Sequence, residues 1–192
     1  MPSGGSKAEI FALQEEQEFI ERLRNPATQN AAFEQLLSEY QRPLYNHIRG
    51  IVLDHDDAHD VLQNTFIKIF KHIDGFKGES KLFSWMYRIA TNEALSFISA
   101  RAKRGGLTNL EHQAKMVENL KTDSWFDGDE IQLKLQQAVS KLPEKQQLVF
   151  KMKYFEDMKY EDMSEILGTS VGALKASFHH AVKKIEYYMT ER

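Results

Sequence analysis

Leu142-Pro143-Glu144-Lys145-Gln146 opens the stretch that decides the fold, and Tyr160-Glu161-Asp162-Met163-Ser164-Glu165-Ile166-Leu167-Gly168-Thr169-Ser170-Val171-Gly172-Ala173-Leu174-Lys175 completes it. Pro143 sits at a first helical turn, where a missing N–H leaves nothing unpaired. The longer run reads as a short amphipathic helix, a glycine-bearing tight turn and a second, basic amphipathic helix. That is the layout of a helix-turn-helix that reads duplex DNA. On the second helix Val171, Leu174, Phe178, Val182 and Ile185 form one apolar stripe and are expected in the core. The opposite face carries Ala173, Ala176, His180, Lys183 and Lys184, flanked by Lys175, Ser177 and His179. Small side chains let a helix backbone sit close to a groove, and lysines meet phosphates. The plainer reading of that face is an ordinary solvated one.

Working back towards the N-terminus, almost every segment has helical period and none alternates like a strand. Phe33, Leu36, Leu37 and Tyr40 make one stripe, and Leu44, Ile48, Ile51 and Val52 make the next after Pro43. Ala58, Val61, Leu62, Thr65, Ile69 and Ile73 give a longer one, with Asp56 or Asp57 placed to cap it. Asp74-Gly75-Phe76-Lys77-Gly78-Glu79-Ser80 reads as a loop whose serine can cap a helix over about Lys81–Arg101. That helix carries Leu82, Trp85, Met86, Ile89, Phe97 and Ile98, and Arg104-Gly105-Gly106 stops it. Helical spacing resumes with Ile131, Leu135, Ala138, Val139 and Leu142. The fold class is therefore all-α: two small helical domains, 7–104 and 130–192, joined by an acidic flexible linker over 105–129, the second domain being the helix-turn-helix.

The 192 residues suit one large or two small domains, and the apolar (42%) and charged (28%) fractions are those of a soluble globular chain. With no cysteine, disulfides, thiolate zinc sites and cysteine nucleophiles are excluded, which fits a reducing, cytoplasmic setting. No apolar run approaches the ~20 residues of a membrane span, so no membrane insertion is expected. Met1-Pro2-Ser3-Gly4-Gly5-Ser6 resembles an expression scar and is set aside. The net charge of −3 is unusual for a free-standing DNA binder, but its distribution is informative. Ser80 to Arg104 holds Lys81, Arg88, Arg101, Lys103 and Arg104 against Glu93 alone. Gly105 to Glu130 holds six acids against two lysines, and Leu167 to Ile185 holds no acid, three lysines and two histidines. Two nucleic-acid-facing modules with an acidic connector fit that pattern.

Phe76-Lys77-Gly78-Glu79-Ser80, followed by Trp85-Met86-Tyr87-Arg88-Ile89-Ala90-Thr91-Asn92, mixes aromatic and basic residues beside a glycine loop. Unpaired bases need such surroundings, with aromatic faces to stack on and cations for the backbone. Together with Asp57-Ala58-His59-Asp60-Val61-Leu62-Gln63-Asn64-Thr65-Phe66, this segment resembles conserved region 2 of bacterial ECF (extracytoplasmic-function) sigma factors of the sigma-70 family. Leu142–Ile185 resembles region 4 of the same family, and the two blocks stand in the family's order.

The resemblance implies a protein that binds core RNA polymerase through the β′ clamp helices and the β subunit, and that recognises and opens promoter DNA. It implies no cofactor and no catalysis, and it makes an anti-sigma or recruiting protein a further candidate partner. Asp60, Gln63, Asn64 and Thr65 match the positions that dock on polymerase. Phe76, Lys77, Gly78, Glu79, Ser80 and Lys81 match the loop that captures an extruded base of the −10 element. Trp85, Arg88 and Asn92 match the helix on the melted strand, with Arg101, Lys103 and Arg104 guiding DNA at its basic end. Ser170, Ala173, Lys175, Ala176, Ser177, His179, His180, Lys183 and Lys184 match the face laid in the −35 major groove. The chain departs from the family in having Ser96, Ser99 and Ala100 where an acid and two arginines are usual. It also has Ser177, His180 and Val182 where arginine is frequent, so two basic surfaces are thinner than typical.

Two other classes compete. A duplex-only regulator with an N-terminal sensor or dimerisation domain explains the helix-turn-helix but has no use for the aromatic-basic segment 76–92. A metal-dependent hydrolase would use His55 and His59, spaced i, i+4 with carboxylates nearby, but no distant third ligand cluster supports it. No phosphate-cradling glycine loop and no hydrolase motif is present.

Overall fold

The structure is a computed structural model that describes residues 7–105, 108, 111, 117 and 130–190. Among the described residues there are eight α-helices, one 3₁₀ turn and no strand. The N-terminal half holds α1 (Lys7–Arg24), α2 (Gln29–Val52), α3 (His55–His72), the turn Ile73–Gly75 and α4 (Leu82–Arg104). The C-terminal half holds α5 (Glu130–Ser140), α6 (Glu144–Tyr154), α7 (Tyr160–Leu167) and α8 (Val171–Thr190).

The two stripes on either side of Pro43 belong to one helix. Proline removes a single backbone hydrogen bond and crowds one carbonyl. Pro43 lies on the exposed side of α2, where the carbonyl left without a donor faces solvent rather than the core. Asp54, not Asp56 or Asp57, caps α3, its Oδ1 accepting from the Asp57 amide at 2.9 Å. The stripe Ala58, Val61, Leu62, Thr65, Ile69 and Ile73 is buried throughout. α4 begins at Leu82, one residue later than expected, and Ser80 does not cap it; the Leu82 amide instead donates to Glu16 Oε1 of α1 at 3.0 Å. Its buried face is rich in small residues, Ser84, Ala90, Thr91, Ala94 and Ala102, which bring it close to α2 and α3.

In the C-terminal half, Gly168 closes α7 at φ +61, and its amide donates to the Ser164 carbonyl at 2.9 Å. The Ser170 hydroxyl accepts from the Ala173 amide at 3.3 Å and so caps α8. Leu174 and Ile185 are buried as expected, but Ala181 takes the central place and Val171, Phe178 and Val182 are only half-buried. Phe178 stacks on Phe150 of α6 at 5.8 Å.

One apolar cluster runs through both halves. It joins the buried faces of α1–α4 to Leu148, Val149 and Met152 of α6, Met158, Met163 and Ile166 around α7, and Leu174 of α8. A second cluster, Ala138, Val139, Leu142, Phe150, Ala181 and Ile185, belongs to the C-terminal half alone. The expected linker lies outside the described residues except for Gly105, Thr108, Glu111 and Val117, and Val117 is buried against Leu53 and Leu133. Residues 1–6 also lie outside them. Among the described residues, no helix is long and apolar enough to cross a membrane.

Candidate nucleic-acid interface

On α3, the core stripe fixes which residues face out. Asp60, Gln63 and Asn64 are exposed, whereas Thr65 is wholly buried and its hydroxyl donates to the Val61 carbonyl at 2.7 Å. Thr65 therefore cannot dock a partner; a β-branched hydroxyl residue inside a helix satisfies itself one turn back. Ile67 (50% exposed) and Phe70 (40% exposed) extend the outer face instead. With Phe33, Leu37 and Phe66 they line a groove of about 500 Å³ between α2 and α3, and Phe70 meets Phe33 edge-on at 5.1 Å. The signal was readable: both are large apolar residues off the core stripe.

The loop after the 3₁₀ turn is hung on Phe76, which is 4% exposed with its ring 5.1 Å from that of Trp85. Phe76 is the loop's anchor, not a contact surface. Lys77, Gly78 and Glu79 are exposed and Ser80 is half-buried. Gly78 has φ +71, a backbone state that an L side chain strains to adopt. Between α1 and the loop lies a cavity of about 210 Å³, bounded by Gln17, Ile20, Glu21 and Arg24 on one side and Phe76, Lys77 and Gly78 on the other. Sequence reading missed α1 as part of this site.

The basic residues of α4 divide into engaged and open. Lys81 Nζ pairs with Asp162 Oδ1 of α7 at 2.6 Å, a bond that raises the lysine's pKa above its ordinary value. The Arg88 guanidinium donates to the Glu165 carbonyl, also on α7. Asn92 lines a cleft of about 420 Å³ between the halves, together with Leu95, Leu148, Ile166 and Leu174. Arg101 is paired with Asp57 across α3 and α4 and lies 6.0 Å from the Phe97 ring, so it ties two helices together rather than waiting for DNA. Burial and the neighbouring Asp54 raise the Asp57 carboxyl above its ordinary value, against the pull of Arg101. Lys103 and Arg104 are exposed.

Behind α7, the seam between the halves encloses charge. The buried His47 ring places Nδ1 2.9 Å from both oxygens of Glu156, which lies between α6 and α7. Its Nε2 is 2.8 Å from Thr91 Oγ1 of α4, and the Thr91 hydroxyl donates to the Tyr87 carbonyl at 2.7 Å. Burial, then Glu156, pushes the Tyr87 phenol well above its ordinary range.

The outer face of α8 is open. Ala173, Lys175, Ala176, His179, His180, Lys183 and Lys184 are exposed, and only Ser177 turns half-buried into the cleft. Lys175 lies 5.6 Å from the Tyr160 ring, and Lys184 donates to Gln146 Oε1 at 3.1 Å. The face suited to duplex DNA thus stands free, while on the face suited to an unpaired strand Lys81 and Arg88 are engaged by α7. His55 and His59 meet each other at 4.6 Å between ring centroids, with His55 Nδ1 2.7 Å from the Tyr45 hydroxyl. No group of three or more metal-ligating side chains occurs among the described residues.

The sequence pattern of sigma-70 region 2 matches residues 36–104, and that of sigma-70 region 4 matches residues 132–185, together well over half of the chain. The chain is 27% identical over 187 residues to the RNA polymerase sigma-H factor of Pseudomonas aeruginosa, covering 92% of this chain and 95% of that one. It is 29% identical over 184 residues to the ECF RNA polymerase sigma-E factor of Haemophilus influenzae, covering 89% and 93%. In fold it is similar to CnrH in its complex with the cytosolic domain of CnrY, with a TM-score of 0.64 and 20% identity over 90% of this chain and 95% of that one. It is likewise similar to the sigma factor RpoE bound to the anti-sigma factor NepR from Bartonella quintana, with a TM-score of 0.60 and 20% identity over 83% and 98%.

Proposed function

The chain belongs to the sigma-70 family, as an ECF sigma factor that acts with core RNA polymerase in promoter recognition and transcription initiation, and on that premise we propose how its residues divide the work. Residues 7–104 form the unit that docks on polymerase and takes the −10 strand, 130–192 form the unit that reads the −35 duplex, and 105–129 connect them. The matched ranges 36–104 and 132–185 fall one within each of the two units. The dock on the β′ clamp helices is the outer face of α3: Asp60, Gln63 and Asn64, continued by Ile67 and Phe70. Loop 76–81 receives an unpaired −10 base, with Trp85, Arg88 and Asn92 along the strand and Lys103 and Arg104 beyond. The open face of α8 enters the −35 major groove, its small residues allowing close approach and Lys175, Lys183 and Lys184 meeting phosphates.

The factor has no chemistry of its own and works in the cell interior, where polymerase is. Its solved relatives in complex with CnrY and NepR support an anti-sigma partner for this chain too. Lys81 and Arg88 are held by α7, so strand capture requires the halves to part; binding to core polymerase, which spaces the two promoter elements, supplies that separation.

The observation that carries this reading is the pairing, in one chain, of an open duplex-reading helix with an aromatic-basic loop and helix suited to a base out of its stack. A duplex-only regulator leaves the second feature idle. The test is to exchange loop 76–81 for that of another ECF factor and transcribe from promoters varied at each −10 position. A changed preference at one position is expected. Uniform loss at every promoter would mean that the loop is only structural.

A further inference from the structure

The region 2 pattern begins at residue 36, so α1 lies wholly outside it. α1 nevertheless holds both ends of the strand-reading loop. At its entry Arg24 donates from Nε to the Ile73 carbonyl at 3.3 Å and from Nη2 to the Phe76 carbonyl. The Ile73 carbonyl closes the turn by accepting the Phe76 amide at 3.1 Å and keeps a second lone pair, and a guanidinium fork reaches it and the Phe76 carbonyl at once. At the exit Glu16 accepts the Leu82 amide at 3.0 Å, placing a carboxylate at the positive end of α4. The same helix walls the cavity of about 210 Å³ beside Phe76, Lys77 and Gly78, with Gln17 and Glu21 one helical turn apart and solvent-facing. Leu23 and Ile20, both buried, seat α1 on the core and make it a firm base for these contacts.

We propose that α1 is the positioning element of the base-selecting loop: Arg24 and Glu16 fix its ends, and Gln17 and Glu21 form the polar wall against which the unpaired base is read. The inference rests on loop 76–81 being the base-capturing segment. Arg24 acts through the Phe76 carbonyl and does not touch DNA. A loop tied at both ends is ordered before the base arrives, so the binding energy of the base is not consumed in ordering it. Glu21 offers only acceptors, which suits a base presenting an exocyclic amino group on its pairing edge, as cytosine, adenine and guanine do, over thymine, which has none.

The test is run-off transcription by reconstituted holoenzyme from four templates that differ only in the captured base. It compares Arg24→Ala, Arg24→Lys, Glu21→Gln and the loop exchange, with core affinity and melting temperature measured for each. Arg24→Ala and Glu21→Gln are expected to flatten the preference among the four bases by about tenfold, the scale of one lost recognition contact, at unchanged core affinity. Arg24→Lys should restore part of it, since one ammonium reaches one carbonyl. Glu21→Gln, which keeps size and helix propensity, decides the matter if Arg24→Ala melts early. An unchanged preference in both variants, or equal loss on all four templates, overturns the proposal. If the loop exchange shifts the preference while the α1 variants do not, only the role of α1 falls. If the loop exchange also leaves it unshifted, the reading of the loop falls with it.

Discussion

Lys151 is enclosed on α6, and burial pushes its amine down to about 8, although Glu156 pulls it the other way. Its folded pKa therefore lies below its unfolded value. At neutral pH the buried amine carries its charge at full cost. As pH rises from about 8 towards 10.5 the unfolded chain binds more protons than the folded one, and stability increases. Lys151→Met is expected to stabilise the fold at pH 7 by on the order of 1–3 kcal/mol and to abolish that alkaline rise. Urea unfolding at pH 7, 9 and 10 measures both, and a variant that is less stable with the same pH slope contradicts the assignment. Single residues were also where sequence reading was least reliable. Thr65 and Phe76 have the residue types of contact positions, yet one bonds its own helix and the other anchors a loop. Arg101 counts as a free cation in any tally of charge but is committed to Asp57. The Arg101 outcome depends on a neighbour 44 residues away that no local reading shows, whereas Thr65 already stood on the core stripe of its helix.

Helices with a clean stripe were legible. α3 follows its six apolar and threonine positions from Ala58 to Ile73, and Gly168 marks the turn between α7 and α8. α1 was not, because Glu15, Glu16, Glu18 and Glu21 surround its two buried anchors Ile20 and Leu23 and blur the period. Pro43 does not end α2, because a proline on the wet side of a long helix removes one bond and little packing. α3 also carries the element-scale prediction. Asp60→Ala with Gln63→Ala should weaken binding to core polymerase while leaving the melting temperature nearly unchanged, since surface substitutions usually cost within ~0.5 kcal/mol. Adding Phe70→Ser, at the rim of the α2–α3 groove, should weaken it further. Surface plasmon resonance against immobilised core reads both, and wild-type affinity in the triple variant would place the dock elsewhere.

In the whole molecule, the two halves share one apolar cluster and a seam that places His47 against Glu156 and Lys81 against Asp162. Nothing in the sequence announced this, because a pair such as Lys81 and Asp162 has no local signature; from sequence alone the halves read as independent units on a linker. In the free chain the α8 face is open to DNA, and it offers Lys175, Lys183 and Lys184. If all three reach phosphates, counterion release gives a log–log salt slope of about −3, shallow beside repressors with many contacts. Weak duplex binding by the chain alone is therefore expected, and it should become tight only when polymerase makes the second contact effectively intramolecular. Because the chain lacks cysteine, spin labels at Glu34→Cys and Glu186→Cys report the separation of the halves without competing sites. A single distance is expected for the free chain and a longer one on core, with Glu156→Ala shifting the free chain towards the longer distance. Identical distances with and without core would contradict a closed free form. The most direct measurement of the central claim is run-off transcription by core polymerase from a library of genomic fragments, with and without the chain, set beside duplex binding by the chain alone. Discrete start sites that appear only when chain and core are combined, with no tight sequence-specific binding by the chain at physiological salt, are the predicted result. Tight specific duplex binding by the isolated chain, with no new transcripts when core is added, would contradict it.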